Sequence, residues 1–196
     1  MITNLVKIIS KAIAVASVLS LTLLAGCNKA EEKVTVAPEP VVIQNGEECD
    51  LCGMYINRFP GPKGQVFERG GMPAKRFCST RDMFAYALQP EHSHRIEHIY
   101  VHDVATAPWD GQENAQYIDA KTAFFVNGHK LNGAMGPALA SFSKQADAES
   151  FIEENGGEIL TFEQIDINTL SMMSRVCIIS LMLANTVLFK KYFHLS

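Results

Sequence analysis

The sequence predicts an α+β fold built from two related ββαβ units, each an antiparallel sheet with one covering helix. Three observations carry this. The order strand, Met-containing turn, strand ending in Phe-x-Ser, helix, strand occurs twice; each helix is preceded by a serine where an N-cap belongs; and each helix ends at a breaker.

The first unit runs Gln65-Val66-Phe67-Glu68, then the turn Gly71-Met72-Pro73-Ala74, then Arg76-Phe77-Cys78-Ser79. A helix over Thr80–Leu88, capped by Ser79 and stopped at Pro90, presents Phe84 and Leu88 on one face, and a strand over Ile96–Val104 follows. The second unit repeats the order with Ala123–Val126, the turn Ala134-Met135-Gly136-Pro137-Ala138, and Ser141-Phe142-Ser143. Its helix, Gln145–Glu154, starts after Ser143, carries Ala148 and Phe151–Ile152 inward and stops at Gly156-Gly157, before a strand at Glu158–Phe162.

The flanks are of other kinds. Residues 1–26 hold Lys7 and Lys11, an uncharged apolar run from Ala12 to Leu24, and Leu24-Ala25-Gly26 before Cys27. That is the build of a secretory signal, too short to span a bilayer, and small residues before a cysteine resemble a bacterial lipobox. The resemblance implies cleavage before Cys27 and a lipid on its sulfur. Residues 27–48, with Pro38 and Pro40 and no periodicity over the first half, read as a flexible tether. The domain then covers 49–167, as units of about 49–110 and 111–167, and 168–196 form a hydrophobic C-terminal extension. Within that extension Val176–Phe189 is apolar apart from Ser180, Asn185 and Thr186. As a helix it spans about 21 Å against a hydrocarbon core of about 30 Å.

Charge narrows the function classes. Cleavage of residues 1–26 takes away two lysines and no acid, so the net charge moves from −4 to −6. An acidic chain without Lys/Arg clusters lacks the basic footprint that nucleic acid requires.

The segment Cys49-Asp50-Leu51-Cys52-Gly53-Met54-Tyr55 carries the chemistry. Haem attachment needs a histidine after the second cysteine, and Gly53 stands there. A thioredoxin-like site needs a helix growing from the cysteines, and Gly53 and Pro60-Gly61-Pro62 prevent one. Structural zinc usually takes two such pairs; Cys78 and the histidines are the residues left to complete one. Cys52 and Met54 offer a thiolate and a thioether two residues apart, on one side of an extended segment. Soft sulfur of this kind favours Cu(I). The alternative is a thiol–disulfide oxidoreductase or thiol-based lyase using Cys49 and Cys52. Four histidines at 92, 94, 98 and 102 read as surface residues, Cys78 as a small core residue, and Trp109 as a core or docking residue.

Taken together, Cys-x-x-Cys-Gly-Met, Phe59-Pro60-Gly61-Pro62-Lys63-Gly64-Gln65, Asp82-Met83-Phe84, Asn132-Gly133-Ala134-Met135-Gly136 and Gly156-Gly157 resemble the NosL family of nitrous-oxide reductase accessory lipoproteins. The likeness covers about 49–165 together with the lipobox; the tail after Ile167 departs from it. It implies a fold of two ββαβ units, similar to organomercurial lyases. It also implies a periplasmic Cu(I) metallochaperone, a carrier without catalytic turnover, whose copper acceptor is nitrous oxide reductase. The implied ligands are Cys52, Met54 and Met135, with Cys49 and His129 as auxiliary candidates. Cys27 would anchor the chain to a membrane. Asn28 lacks the aspartate associated with inner-membrane retention, which leaves the outer membrane open.

Overall fold

The computed structural model describes residues 37–173. The signal segment, Cys27, the tether up to Val36 and the apolar run Val176–Phe189 lie outside these residues. Among those described, no helix is long and apolar enough to cross a membrane.

Two antiparallel sheets share one winding. In the first, β1 (Gly64–Glu68) is flanked by β2 (Lys75–Phe77) and β3 (Ile96–His102), and β4 (Tyr117–Asp119) adds to the outer edge of β3. In the second, β5 (Phe124–Asn127) is flanked by β8 (Ala140–Phe142) and β9 (Glu158–Leu160). Each sheet therefore places its first strand centrally, its second on one side, and the strand that follows the helix on the other. The helices are α1 (Thr80–Ala87) and α3 (Gln145–Asn155), with a single turn, α2 (Pro90–Ser93), after α1. Between β5 and β8 a short hairpin, β6 (Asn132–Gly133) and β7 (Gly136–Pro137), projects with Met135 in its turn.

The helix ends follow local chemistry. Ser79 Oγ accepts from the Asp82 backbone N–H at 3.1 Å, satisfying one of the donors that every helix start leaves open. At α3 the expected cap at Ser143 is displaced by one residue. Lys144 takes the N-cap position without a side-chain bond, and Asp147 in the first turn faces the positive end of the helix dipole. Gly156 and Gly157 then adopt φ of 72° and 109°; a Cβ on Gly157 would stand 2.6 Å from the Asn127 carbonyl. The third strand of the first unit ends at His102, short of Val104. There the Asp103 carboxylate accepts from Ala105 N and starts a 3-10 turn.

All five residues of β1 are buried, since both of its faces are covered. On one side α1 packs so closely that Gly64 lies under Met83. Phe84 of α1 sits edge-on to Phe125 of β5, 5.2 Å between ring centres, and this contact joins the units in one core. A second cluster under α3 holds Val126, Ala140, Phe142 and Ala148.

The other face of β1 carries residues of the expected tether. Gln65, fully buried, exchanges both amide bonds with the backbone of Val41, and its cross-strand partner Tyr100 donates its hydroxyl to the Pro38 carbonyl at 2.9 Å. Asn57 donates to the Ile43 carbonyl at 3.2 Å. Residues 38–43 are thus fastened to the sheet by side-chain amides and a phenol, and not left as part of the flexible tether.

Gly64→Ala tests the packing of α1. The added Cβ would approach Met83 Sδ to 2.5 Å and its Cβ and Cγ to 2.8 Å. Urea unfolding is expected to show a loss of about 1–3 kcal/mol, the usual range for overpacking.

Candidate metal centre

The Cys-x-x-Cys segment folds into a closed loop. A Glu48–Tyr55 bridge seals its base, Cys49 N–H donates to the Met54 carbonyl at 2.9 Å, and Gly53 N–H donates to the Cys49 carbonyl at 2.9 Å. Gly53 sits at φ 71°, a left-handed conformation that explains why glycine follows the second cysteine. Asp50 then lays the loop along β2. Its N–H donates to the Arg76 carbonyl at 2.9 Å, and its carboxylate accepts from Arg76 N–H at 2.8 Å and from the Lys75 ammonium at 2.9 Å. Arg76 in turn reaches Glu47 at 2.6 Å. The edge strand thereby orders the entry to the loop, and the Glu48–Tyr55 bridge holds its exit.

This docking carries the loop cysteines to Cys78, the residue after β2, and to Asp82 in the first turn of α1. Metal-ligating atoms of Cys49, Cys52, Cys78 and Asp82 all lie within 4.8 Å of one another. Cys52 Sγ is 3.5 Å from Cys78 Sγ; Asp82 Oδ2 is 3.5 Å from Cys78 Sγ and 3.7 Å from Cys49 Sγ. Cys49 and Cys78 are buried and Cys52 is half-buried; all three are free thiols. Among the described residues this is the one group of three or more such side chains that converges.

Hydrogen bonds and burial set the protonation of the thiols. The Cys78 thiol donates to the Cys49 sulfur, and against the opposing effect of burial this brings Cys49 down to about 6. Cys78 is pushed well above the ordinary thiol range, first by that same bond, then by burial and the Asp82 charge. Burial raises Cys52 to about 11. Of the three thiols, Cys49 is thus the one favoured to ionise first, and Asp82 stands within reach of both Cys49 and Cys78 as an acceptor. Three sulfurs at this spacing suit a soft, thiophilic metal.

The other residues singled out in the sequence lie as follows. Met54 is half-buried at the end of the cysteine loop, and Met135, 48% exposed, is at the tip of the β6–β7 hairpin. That hairpin is tied to the first turn of α1. Arg81 donates to the Met135 carbonyl at 2.9 Å, and the Thr80 hydroxyl donates to the Leu139 carbonyl at 2.7 Å while accepting from its N–H at 3.1 Å. The methionine turn and the thiols thus meet the same end of one helix. His129 is placed elsewhere, edge-on to Trp109 and Phe151 at 5.2 and 5.1 Å, and burial lowers it to about 4. The four histidines from 92 to 102 disperse. His92 stacks on Tyr86 and His98 on Tyr100, while His102, contrary to the surface reading, is buried against Tyr117. Trp109 packs with the second core and donates its indole N–H to the Asn132 carbonyl at 2.9 Å.

Cys78 is the functional candidate that the sequence reading passed over. It is a buried residue as expected, but its sulfur faces the loop cysteines. The available signal was positional: Cys78 directly precedes the N-cap and Asp82 lies four residues on, so both meet at the helix start.

Known proteins extend this picture. The NosL family profile matches residues 40–170. A copper-binding lipoprotein NosL of Stutzerimonas stutzeri is 44% identical over 143 residues, covering 73% of this chain and 74% of that protein. One from Achromobacter cycloclastes is 34% identical over 149 residues, covering 74% and 76%. The crystal structure of the copper chaperone NosL from Shewanella denitrificans superposes with a TM-score of 0.64 at 42% identity, covering 66% of this chain and 97% of the other. Sequence, family profile and fold agree, and the chain belongs to the NosL family.

Proposed function

We propose that this chain is a copper metallochaperone, a metal carrier rather than an enzyme, that holds copper as Cu(I) and passes it to nitrous oxide reductase. The observation that carries the reading is the meeting of the cysteine loop and the methionine hairpin at the start of α1. The names of the relatives, copper-binding lipoprotein and copper chaperone, support it. In this reading Cys52, Met54 and Met135 are the ligands, and Cys49 is an auxiliary sulfur behind them. Cys78 and Asp82 line the buried side of the site beside Cys49.

The chemistry follows from the mixture of sulfur types. A thiolate supplies the charge that binds Cu(I) firmly, whereas thioethers are neutral and bind without releasing a proton. Exposure of Met135 and half-exposure of Cys52 leave two ligands reachable by an acceptor, so copper can be handed over by stepwise ligand exchange. A lipid on Cys27 would keep the domain in the periplasm beside a membrane, with the outer membrane one candidate. Thiol exchange through Cys49 and Cys52 alone would leave both methionines without a task.

Two measurements test this. In a Cu(I) titration against a competing chelator, Cys52→Ser and Met135→Leu are each expected to weaken binding by at least about tenfold, the lower range for losing even a supporting residue of a metal site. Unchanged affinity in Met135→Leu would remove that residue from the ligand set. Loaded protein mixed with copper-free nitrous oxide reductase should restore the enzyme's copper absorption, and no transfer would sink the proposed acceptor.

The pH dependence gives a second check. Cys52 is protonated below about 11, so copper displaces its proton throughout the neutral range; Cys49, at about 6, is already a thiolate there. Affinity should therefore rise with pH, by about tenfold per unit between roughly pH 7 and 9. A flat profile would contradict Cys52 as the thiolate ligand. A slope near a hundredfold per unit would bring Cys78 into the ligand set.

A further inference from the structure

Lys63 is 1% exposed, and a lysine so fully buried needs a reason. Its ammonium donates to the carbonyls of Phe59 at 2.6 Å, Pro60 at 3.3 Å and Cys78 at 3.2 Å. Removing an ammonium from water costs several kcal/mol unless its donors are satisfied, and these carbonyls match the three N–H bonds it carries. The Lys63 carbonyl accepts from His102 N–H at 3.0 Å, so the backbone on which the side chain stands is fixed to the end of β3.

The turn that Lys63 holds is the one the methionine hairpin rests on. Gly61, at φ 82°, donates its N–H to the Trp109 carbonyl at 2.8 Å. A Cβ there would lie 3.0 Å from the Trp109 ring and 3.5 Å from Gly133 Cα. Trp109 also donates to the Asn132 carbonyl, so indole and turn together support β6, which pairs with β7 across Met135. A continuous set of contacts runs from the Cys78 carbonyl through the Lys63 ammonium and the Phe59–Pro62 turn to the hairpin. Its two ends are a cysteine of the thiol cluster and the methionine.

We propose that Lys63 is a positioning residue for the metal site, locking the Phe59–Pro62 turn to the backbone of Cys78 and so setting where Met135 stands relative to the thiols. This rests on the reading of Met135 as a copper ligand. The role does not require Lys63 to touch copper. A neutral side chain of similar volume, as in Lys63→Met, keeps the packing but frees the turn from Cys78, so Met135 would no longer be held within reach.

The test is a double-mutant cycle on Cu(I) affinity in the full chain, with Lys63→Met, Met135→Leu and the double variant, and circular dichroism as the check on folding. Each single change is expected to weaken Cu(I) by about 10–100-fold, as outer residues of metal sites do. The double variant should bind no more weakly than the weaker single one, since Lys63 acts through Met135. Losses that multiply, or wild-type affinity in folded Lys63→Met, would overturn the proposal. If Lys63→Met does not fold, Gly61→Ala, which strains the same turn against Trp109, decides by the same pattern. Wild-type affinity in Met135→Leu is a separate result: it would refute the ligand assignment itself. Absence of Cu(I) binding in the wild type would refute the copper reading.

Discussion

The Thr80 hydroxyl bonds twice to the backbone of Leu139, donating to its carbonyl and accepting from its N–H, with both partners buried. Leu139 follows the β6–β7 hairpin of the second unit, whereas Thr80 opens the helix of the first. The two bonds therefore tie the units together at the point where Cys78, Ser79 and Asp82 crowd the start of α1. Phe84 against Phe125 joins the cores without fixing a direction, whereas these two bonds and the one from Arg81 to the Met135 carbonyl orient the methionine turn at the start of α1. Both groups are out of water, so cutting one partner would leave a buried polar atom unpaired.

The thiols illustrate a compromise between holding metal and surviving without it. Three acidic sulfurs beside a carboxylate would repel one another if all were ionised. The cluster eases this by pulling the thiols apart in acidity: the hydrogen bond from Cys78 draws Cys49 down, while that bond and burial push Cys78 up. A metal bound there would supply the positive charge that lets the remaining protons leave. Thioethers carry no such cost, so the methionines, if they bind copper as proposed, would do so without releasing a proton.

Much of the fold was legible because each element is written locally. Ser79, the inward face of α1 at Phe84, the stop before Pro90 and the Gly156-Gly157 pair all act within one or two helical turns, and α+β topology with a doubled unit follows from their order. β4 and the β6–β7 hairpin were not legible, being two or three residues long and specified by their partners. The candidate site divides in the same way. The Cys49–Met54 loop is a local motif, but the convergence of Cys78 and Asp82 depends on Asp50 docking to β2, an event between segments 25 residues apart. The placement of His102 inside, beneath Tyr117, likewise comes from β4, which the sequence did not announce.

The fastening of residues 38–43 also alters how force reaches the site. With a lipid on Cys27, about ten residues separate the anchor from the first bound stretch, an extended reach of roughly 35 Å rather than twice that. Any pull from the membrane is taken up first at Pro38, Val41 and Ile43, through Tyr100, Gln65 and Asn57. Only beyond that point does the chain continue to Cys49. With such an anchor, residues 38–43 would work as a strain relief does on a cable: a tug on the chain would stop there before it reached the sulfur atoms.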